Sequence, residues 1–101
     1  MFGGDHLDVA KSYNGLGNVY KSLGKYEEAL VYYQKDLDIT VRLVGQDHPD
    51  VATSLNNIGV VYKKKGDFEN ALVQYQKALE IRTRVFGSDQ VVVADQPDSN
   101  V

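Results

Sequence analysis

The feature that most constrains this chain is an internal repeat, because residues 6–47 align without a gap on residues 48–89. The offset is about 42 residues, and roughly 23 of the aligned positions are identical. Repetition at one fixed spacing predicts one supersecondary unit per block, with the units stacked side by side rather than wrapped around a single closed core. Any functional surface is therefore expected to recur from one block to the next.

The composition is that of an ordinary folded chain and argues against several functional classes. With 101 residues, 43% hydrophobic and 25% charged, the chain has room for one domain. A net charge of −3 argues against nucleic-acid binding, which requires a clustered basic surface. The absence of cysteine excludes disulfides and thiolate metal sites. No apolar run approaches the roughly 20 residues that cross a bilayer, and residues 1–5 lack the features of a secretory signal, so we expect a cytoplasmic protein or a piece of one.

Each block contains two helical patterns, which we call helix A and helix B. In both patterns apolar residues recur at the spacing of one helix face. Helix A carries Val9, Tyr13, Leu16 and Tyr20 in the first block, and Val51, Leu55, Ile58 and Tyr62 in the second. Helix B carries Ala29, Leu30, Tyr33, Leu37 and Val44 in the first block, and Ala71, Leu72, Tyr75, Leu79 and Phe86 in the second.

Glycines mark the predicted helix ends. Helix A is expected to stop at Gly24 and Gly66, because glycine takes the left-handed conformation without a Cβ penalty. Helix B is expected to end at Gly45 and Gly87. The second helix A is expected to begin near residues 47–50, with an acidic side chain as its N-cap and a proline in its first turn.

Two further glycines, Gly17 and Gly59, lie inside helix A, where glycine costs about 1 kcal/mol relative to alanine. We predict that close packing offsets this cost, with each glycine facing the small residue of helix B, Ala29 or Ala71. A larger side chain at Gly59 should then clash.

The residues shared by the two blocks resemble the tetratricopeptide repeat signature. They are Leu16, Gly17, Tyr20, Gly24, Tyr26, Ala29 and Tyr33, with their counterparts Ile58, Gly59, Tyr62, Gly66, Phe68, Ala71 and Tyr75. That family's usual unit has about 34 residues, and the longer unit here resembles the kinesin-light-chain and nephrocystin-3-like branch. The resemblance implies an all-α fold, an α-solenoid of antiparallel helix pairs in a right-handed superhelix.

The predicted organisation is a repeat domain over residues 1–94, followed by a disordered tail over 95–101. The domain comprises one repeat at 6–47, a second at 48–89 and a partial third at 90–94, because Pro97 falls where a third helix A would have to continue. Asp36 departs from the pattern, since it occupies the slot of Ala78, which the family usually keeps small and buried. A carboxylate there requires a partner or water.

The resemblance also implies a binding surface, because repeats of this family bind extended peptides on the face lined by helix A. The corresponding residues are Lys11, Asn14, Asn18, Lys21, Thr53, Asn56, Asn57, Val60, Lys63 and Lys64, with Gly15 and Ser22 beside them. Asparagine amides suit a peptide backbone, while lysines favour acidic side chains or a terminal carboxylate. The alternative is that these side chains simply solvate an exposed helix face.

Other motifs are weaker. Asn18 and Asn57 match two positions of the family's carboxylate clamp for chaperone C-termini, but Asn14 stands where the clamp has a lysine. The lysines at 63–65 complement the helix dipole. The two histidines lack zinc-ligand spacing. Residues 99–101 fit the short pattern that PDZ domains bind. No nucleophile–base pair is apparent, so we expect no enzyme activity, no cofactor and no metal.

The ends of the solenoid suggest a second function. About three repeats are normally needed for independent stability, and this chain has two. The last helix B presents Leu72, Leu79, Ile81 and Val85 with no following repeat to cover them, and residues 91–94 form at most a partial lid. We therefore expect a protein or peptide ligand, for which the lysines favour acidic groups, and self-association as a head-to-tail or swapped dimer. We expect neither nucleic acid nor membrane as partner. The alternative function is a structural stacking unit with no peptide ligand.

Overall fold

The computed structural model describes residues 6–95 of the chain, with side chains for residues 6–87. Four helices follow one another: α1 (Leu7–Ser22), α2 (Tyr26–Val44), α3 (Pro49–Lys65) and α4 (Phe68–Asp95). Helices α1 and α2 pack as one pair, α3 and α4 pack as another, and α2 joins the pairs by packing on α3. No strand occurs between residues 6 and 95. The prediction of an all-α solenoid of paired helices is confirmed.

The turns inside the two repeats are built in the same way. Gly24 and Gly66 have φ values of 78° and 84°, in the left-handed region where a Cβ atom would be strained. At the second turn, Gly66 N–H donates to the Lys63 carbonyl and Asp67 N–H to the Tyr62 carbonyl, which satisfies carbonyls that the end of α3 leaves without helical partners. The predicted ends of helix A are thus correct.

The N-cap of α3 differs from the expectation, and α1 is capped in the same way. The capping side chains are histidines: Nδ1 of His6 accepts from the Asp8 backbone N–H, and Nδ1 of His48 accepts from that of Asp50, both at 3.0 Å. The prediction of an acidic cap near residues 47–50 was therefore wrong. A neutral imidazole supplies the acceptor that the first turn needs, while Asp50 lies within that turn, where negative charge is favoured.

The link between repeats also recurs. Gly45 ends α2 with φ 87° and ψ 171°, and Gly87 interrupts α4 with φ 77° and ψ −175°. Both predicted ends of helix B are confirmed, since the α4 backbone leaves the helical conformation at Gly87 before it resumes. Residues 96–101 of the predicted tail, Pro97 among them, lie outside the described residues, as do the side chains of residues 91–94. The first residue of that tail, Asp95, is the last residue of α4.

The helical glycines pack closely, but against a different residue than expected. A Cβ atom on Gly17 would lie 2.6 Å from the Tyr33 ring, and one on Gly59 would lie 2.9 Å from the Tyr75 ring. The neighbour is thus an aromatic ring of helix B, and the prediction that it would be Ala29 or Ala71 was wrong. The broad face of a tyrosine needs the space that a missing side chain leaves, which offsets the helix penalty of glycine.

Two apolar clusters hold the repeats together, and α3 contributes to both. The α3–α4 cluster comprises Val51, Ala52, Leu55, Ala78 and Ile81, with Leu37, Val41 and Val44 of α2 packed against it. The α2–α3 cluster comprises Ala29, Tyr33, Ile58 and Val61. Burying a side chain the size of valine or isoleucine contributes about 1.5–3 kcal/mol, so α3 is the helix on which the stack depends.

The two ends of the stack are uncovered. Leu16 and Val19 of α1 are 41% and 56% exposed, while Leu72 and Leu79 of α4 are 58% and 64% exposed. Val85 is also exposed, as predicted, but Ile81 is buried at 5%. The prediction that Ile81 would be uncovered was wrong, because it turns towards α3 rather than towards the open end. Within the described residues, no helix is both long and apolar enough to cross a bilayer.

Candidate peptide-binding groove

A cavity of about 210 Å³ lies between α1 and α3, with α2 as its floor. Three of the predicted site residues line it, namely Lys11 and Asn14 of α1 and Thr53 of α3. Asp36 and Thr40 come from α2, and Asp50 and Ser54 come from α3. We call this space the Asp36 cavity. Because its walls come from the helix A of both repeats, it exists only when the repeats are stacked.

Asp36 is 5% exposed, and it is the centre of a polar network. Its Oδ2 accepts from Ser54 Oγ at 2.9 Å and from Asn14 Nδ2 at 3.4 Å, and its Oδ1 accepts from Thr40 Oγ1 at 3.1 Å. The three donors belong to three different helices, so the carboxylate ties α1, α2 and α3 together. The prediction that Asp36 would need a partner is confirmed, and all of these partners are neutral.

The network continues along α1. Asn18 Nδ2 donates to Asn14 Oδ1 at 3.3 Å, and the Tyr33 hydroxyl donates to Asn18 Oδ1. Burial, together with the negative charge of Asp36, raises the pKa of Tyr33 above its usual value. Both asparagines are thereby held in place by α2. Since an amide nitrogen carries two hydrogens, each of them keeps one N–H for a ligand.

The other predicted site residues lie along the same two helices, outside the Asp36 cavity. The spacing of Lys11, Asn14, Asn18 and Lys21 on α1, and of Thr53, Asn57, Val60 and Lys64 on α3, keeps each set along one helix face. Asn56, Asn57 and Val60 are half-buried, whereas Lys63 and Lys64 are exposed at the end of α3. The Thr53 hydroxyl donates to the Pro49 carbonyl of its own helix.

The third lysine at the end of α3 has a structural partner. Lys65 Nζ donates to Oε2 of Glu27 at the start of α2, and this contact raises the pKa of Lys65. Lys65 therefore joins the two repeats, which the sequence interpretation in terms of the helix dipole alone did not anticipate. Lys63 and Lys64 form no ion pair with any other described residue, which leaves both as basic groups at this end of the groove.

Sequence reasoning missed three polar residues of the cavity, Thr40, Asp50 and Ser54. Thr40 follows Asp36 by four positions on one helix, so the spacing of helical neighbours was enough to find it. Ser54 is separated from Asp36 by 18 positions, and only the packing of α3 on α2 brings the two together. No signal in a single sequence pointed to that contact.

A second, larger cavity of about 460 Å³ lies between α2 and α4, on the helix-B side of the stack. Apolar side chains such as Leu37, Val41 and Ile81 line it together with charged groups of both signs. Beside it, Arg84 Nε lies 3.0 Å from Asp47 Oδ1 and links α4 to the loop between the repeats. No sequence pattern indicated this cavity, because helix B was interpreted only as a packing element.

The side chains that are present do not suggest a metal centre. Among the described residues, no group of three or more His, Cys, Asp or Glu side chains is arranged to hold a metal ion. His6 and His48 are occupied as helix caps.

Comparisons with known proteins agree with this architecture. A family model described as tetratricopeptide repeat matches residues 8–84. Among solved structures, the crystal structure of BtubC (BKLC) from P. vanneervenii is similar, with a TM-score of 0.78 and 36% sequence identity. The match covers 80% of this chain and 32% of that chain, so the present sequence corresponds to about a third of that protein. No curated protein matches the sequence.

Proposed function

The chain belongs to the tetratricopeptide repeat family, whose repeats generally mediate protein–protein interaction, and on that premise we propose that the groove between α1 and α3 binds an extended peptide. The observation that carries the proposal is the Asp36 network, which orients side-chain amides along the groove. A free asparagine loses side-chain entropy on binding, whereas one that is already held loses less.

The spacing of these amides fits an extended backbone. Asn14 and Asn18 are one helical turn apart, so their Cα atoms are separated by about 6 Å along the helix axis. Two residues of an extended peptide advance about 6.6 Å. One spare N–H from each asparagine therefore matches successive carbonyls on the same edge of a peptide, while the exposed Lys63 and Lys64 favour an acidic side chain further along.

Selection of displayed random peptides on the immobilised chain tests this proposal. For a selected peptide, Asn57→Ala and Lys63→Ala should each weaken binding about tenfold or more, measured by fluorescence polarisation. Neither side chain forms a hydrogen bond with another described residue, so losses would report on the ligand rather than on the fold. Gln76→Ala is the matched control, because it removes an exposed amide from helix B. If no peptide is selected, or if all three variants bind like the original chain, the proposal is wrong.

A second candidate is stacking of copies end to end, and a specific comparison favours it. Ile58 and Val61 of α3 are buried at 4% and 0%, largely against α2, while the equivalent Leu16 and Val19 of α1 remain exposed. Leu72 and Leu79 at the other end correspond to the α2 residues that receive α3. One copy's α1 therefore offers another copy's α4 the same apolar pairing that already joins α2 to α3.

Light scattering over a wide concentration range tests the stacking proposal. We expect the mass to rise with concentration and Val19→Lys to prevent the rise. Val31→Lys is the matched control, because Val31 is a similarly exposed valine at 52% that lies on α2, away from both ends. A monomer at every concentration would contradict stacking and would leave the peptide groove as the functional surface.

Three broader features belong to the same proposal. The repeat length of about 42 residues and the likeness to BtubC (BKLC) support the long-repeat branch named from the sequence. A non-catalytic scaffold role follows the general behaviour of the family. We also propose a cytoplasmic location, which rests on the sequence.

A further inference from the structure

The strongest unexplained feature of the groove is the charge at its floor. Asp36 is buried, and its described hydrogen-bond donors, Asn14, Thr40 and Ser54, are all neutral. Among the described residues it forms no ion pair. Neutral donors satisfy the oxygen lone pairs but leave the net charge uncompensated, and a buried charge without a counter-charge is unusual.

The carboxylate of Asp36 acts electrostatically on the Tyr33 hydroxyl and shares its cavity with two other charged residues. Its negative charge is one of the causes that raise the pKa of Tyr33, the other and larger cause being burial. Asp50 lines the same cavity and adds a second carboxylate. Lys11 is the one cation among the lining residues, and it is exposed and forms no ion pair with any described residue.

The space beside Asp36 is large enough for a long side chain. A volume of about 210 Å³ corresponds to roughly seven water molecules at the density of the liquid. The carboxylate of Asp36 is also specific to the first repeat, because the equivalent position in the second repeat is Ala78. Nothing in the repeat fold requires a carboxylate at this position.

We propose that the Asp36 cavity receives a lysine or arginine side chain of the bound peptide, with Asp36 and Asp50 as its counter-charges. This inference rests on the proposed function of the groove and names the chemistry of its ligand. A cation in a partly enclosed site gains more from a carboxylate than it does on an open surface. The proposal adds a basic residue to a ligand that the sequence alone suggested to be acidic.

The positions of the charges also set the spacing between the charged residues of the ligand. Lys63 lies ten residues beyond Thr53 on α3, which is about 15 Å along the helix. An extended peptide covers that distance in about four to six residues. The ligand should therefore carry a lysine or arginine near the Asp36 cavity and an acidic residue about four to six positions away, near Lys63 and Lys64.

The test uses random dodecapeptides displayed on phage and selected on the whole chain. The original chain should enrich lysine or arginine at one position, and Asp36→Asn should lose that enrichment. Asp38→Asn is the matched control, because Asp38 is an exposed carboxylate on the same helix. Asp36→Ala serves as a second variant, since alanine is the residue that the second repeat carries at this position, and circular dichroism establishes that each variant is folded.

A selected peptide then gives a second measurement, in which the ligand is altered as well as the chain. Replacing its basic residue by norleucine should weaken binding to the original chain about tenfold, and should change binding to Asp36→Asn less than twofold. Peptides selected without a basic preference, or a preference that Asp36→Asn retains, would overturn this inference while leaving the peptide groove intact. If no peptide is selected at all, the groove proposal fails together with it.

Discussion

The two repeats share a backbone plan and differ in the chemistry of their grooves. In the first repeat, Asp36, Asn18 and Thr40 take part in a polar network, whereas the second repeat carries Ala78, Val60 and Arg82 at the equivalent positions. The residues that set helix ends and close packing are the same in both. Stacking thus constrains one set of positions, while the groove positions are free to differ and to select a ligand.

The two copies of helix A offer a second contrast, because similar sequences have different surroundings. Helix α3 lies between α2 and α4 and buries apolar residues on both sides, while α1 packs extensively only on α2 among the described helices. Equivalent valines, Val19 and Val61, are therefore exposed in one copy and fully buried in the other. Position within the stack decides how much each side chain contributes to stability.

Exchanging the residues at the paired positions Asp36 and Ala78 should give the largest effect. Ala78→Asp places a carboxylate in the α3–α4 cluster and should cost about 3 kcal/mol, with Arg82 one turn away limiting the loss. Asp36→Ala removes an acceptor from three neutral donors and should cost about 1–2 kcal/mol. Urea unfolding measures both variants. Equal losses would show that the two sites are not as different as the structure indicates.

The helical glycines should show the next largest effect. Gly17→Ala should destabilise the chain by about 2–3 kcal/mol, because its Cβ would meet the fully buried Tyr33 ring. Gly59→Ala should cost less, since Tyr75 is only half-buried and has room to move. Gly15→Ala is the control: nothing lies within 4 Å of its Cβ position, so helix propensity should make it up to about 1 kcal/mol more stable. A Gly17→Ala variant as stable as Gly15→Ala would disprove the contact.

The paired valines sharpen the contrast between inner and outer helices. Val61→Ala should cost about 2 kcal/mol in thermal or urea unfolding, because it leaves a hole in the α2–α3 cluster. Val19→Ala should stay within about 0.5 kcal/mol when the protein is dilute. If copies stack end to end, the effect of Val19→Ala should grow with protein concentration while that of Val61→Ala stays constant. Equal effects in dilute solution would contradict the burial difference.

The smallest expected effect is a loss of folding stability in alkaline solution, caused by ionisation of Tyr33. Its folded-state pKa is raised above the ordinary 10.0, so the folded chain holds this proton more tightly than the unfolded chain does. The protonated Tyr33 hydroxyl therefore contributes its full share to the free energy of unfolding below pH 10. This contribution is lost as the pH rises from 10 towards the raised pKa. At neutral pH, Tyr33→Phe should be about 1 kcal/mol less stable, because the hydrogen bond to Asn18 is gone.

That difference between Tyr33→Phe and the original chain should shrink above pH 10, because phenylalanine does not ionise. Urea unfolding at several alkaline pH values measures it. Tyr75→Phe is the control, since the Tyr75 hydroxyl has no hydrogen-bond partner among the described residues. A difference that stays constant or widens with pH would contradict the raised pKa.

Local chemistry explains which features could be predicted. Helix periodicity and the glycines at 24, 45, 66 and 87 act within a few residues, so they predicted the four helices and their ends. The N-cap of α3 was predicted incorrectly because carboxylates are commoner caps than imidazoles, and the Nδ1 atom of His48 offers the same acceptor. The choice of Tyr33 over Ala29 as the neighbour of Gly17 depended on the relative rotation of two helices, which periodicity does not define.

The repeat, the helix pairs and the family could be recognised from the sequence, because each rests on spacing along the chain. It also indicated that a carboxylate at position 36 would need a partner. The packing of the helices was needed to show that Ser54 and Asn14 are among those partners, that Ile81 faces inward, and that a cavity lies beside Asp36. These features depend on how α3 packs against α2. That packing brings together side chains that are distant in sequence, so the local pattern of one helix does not define their contacts.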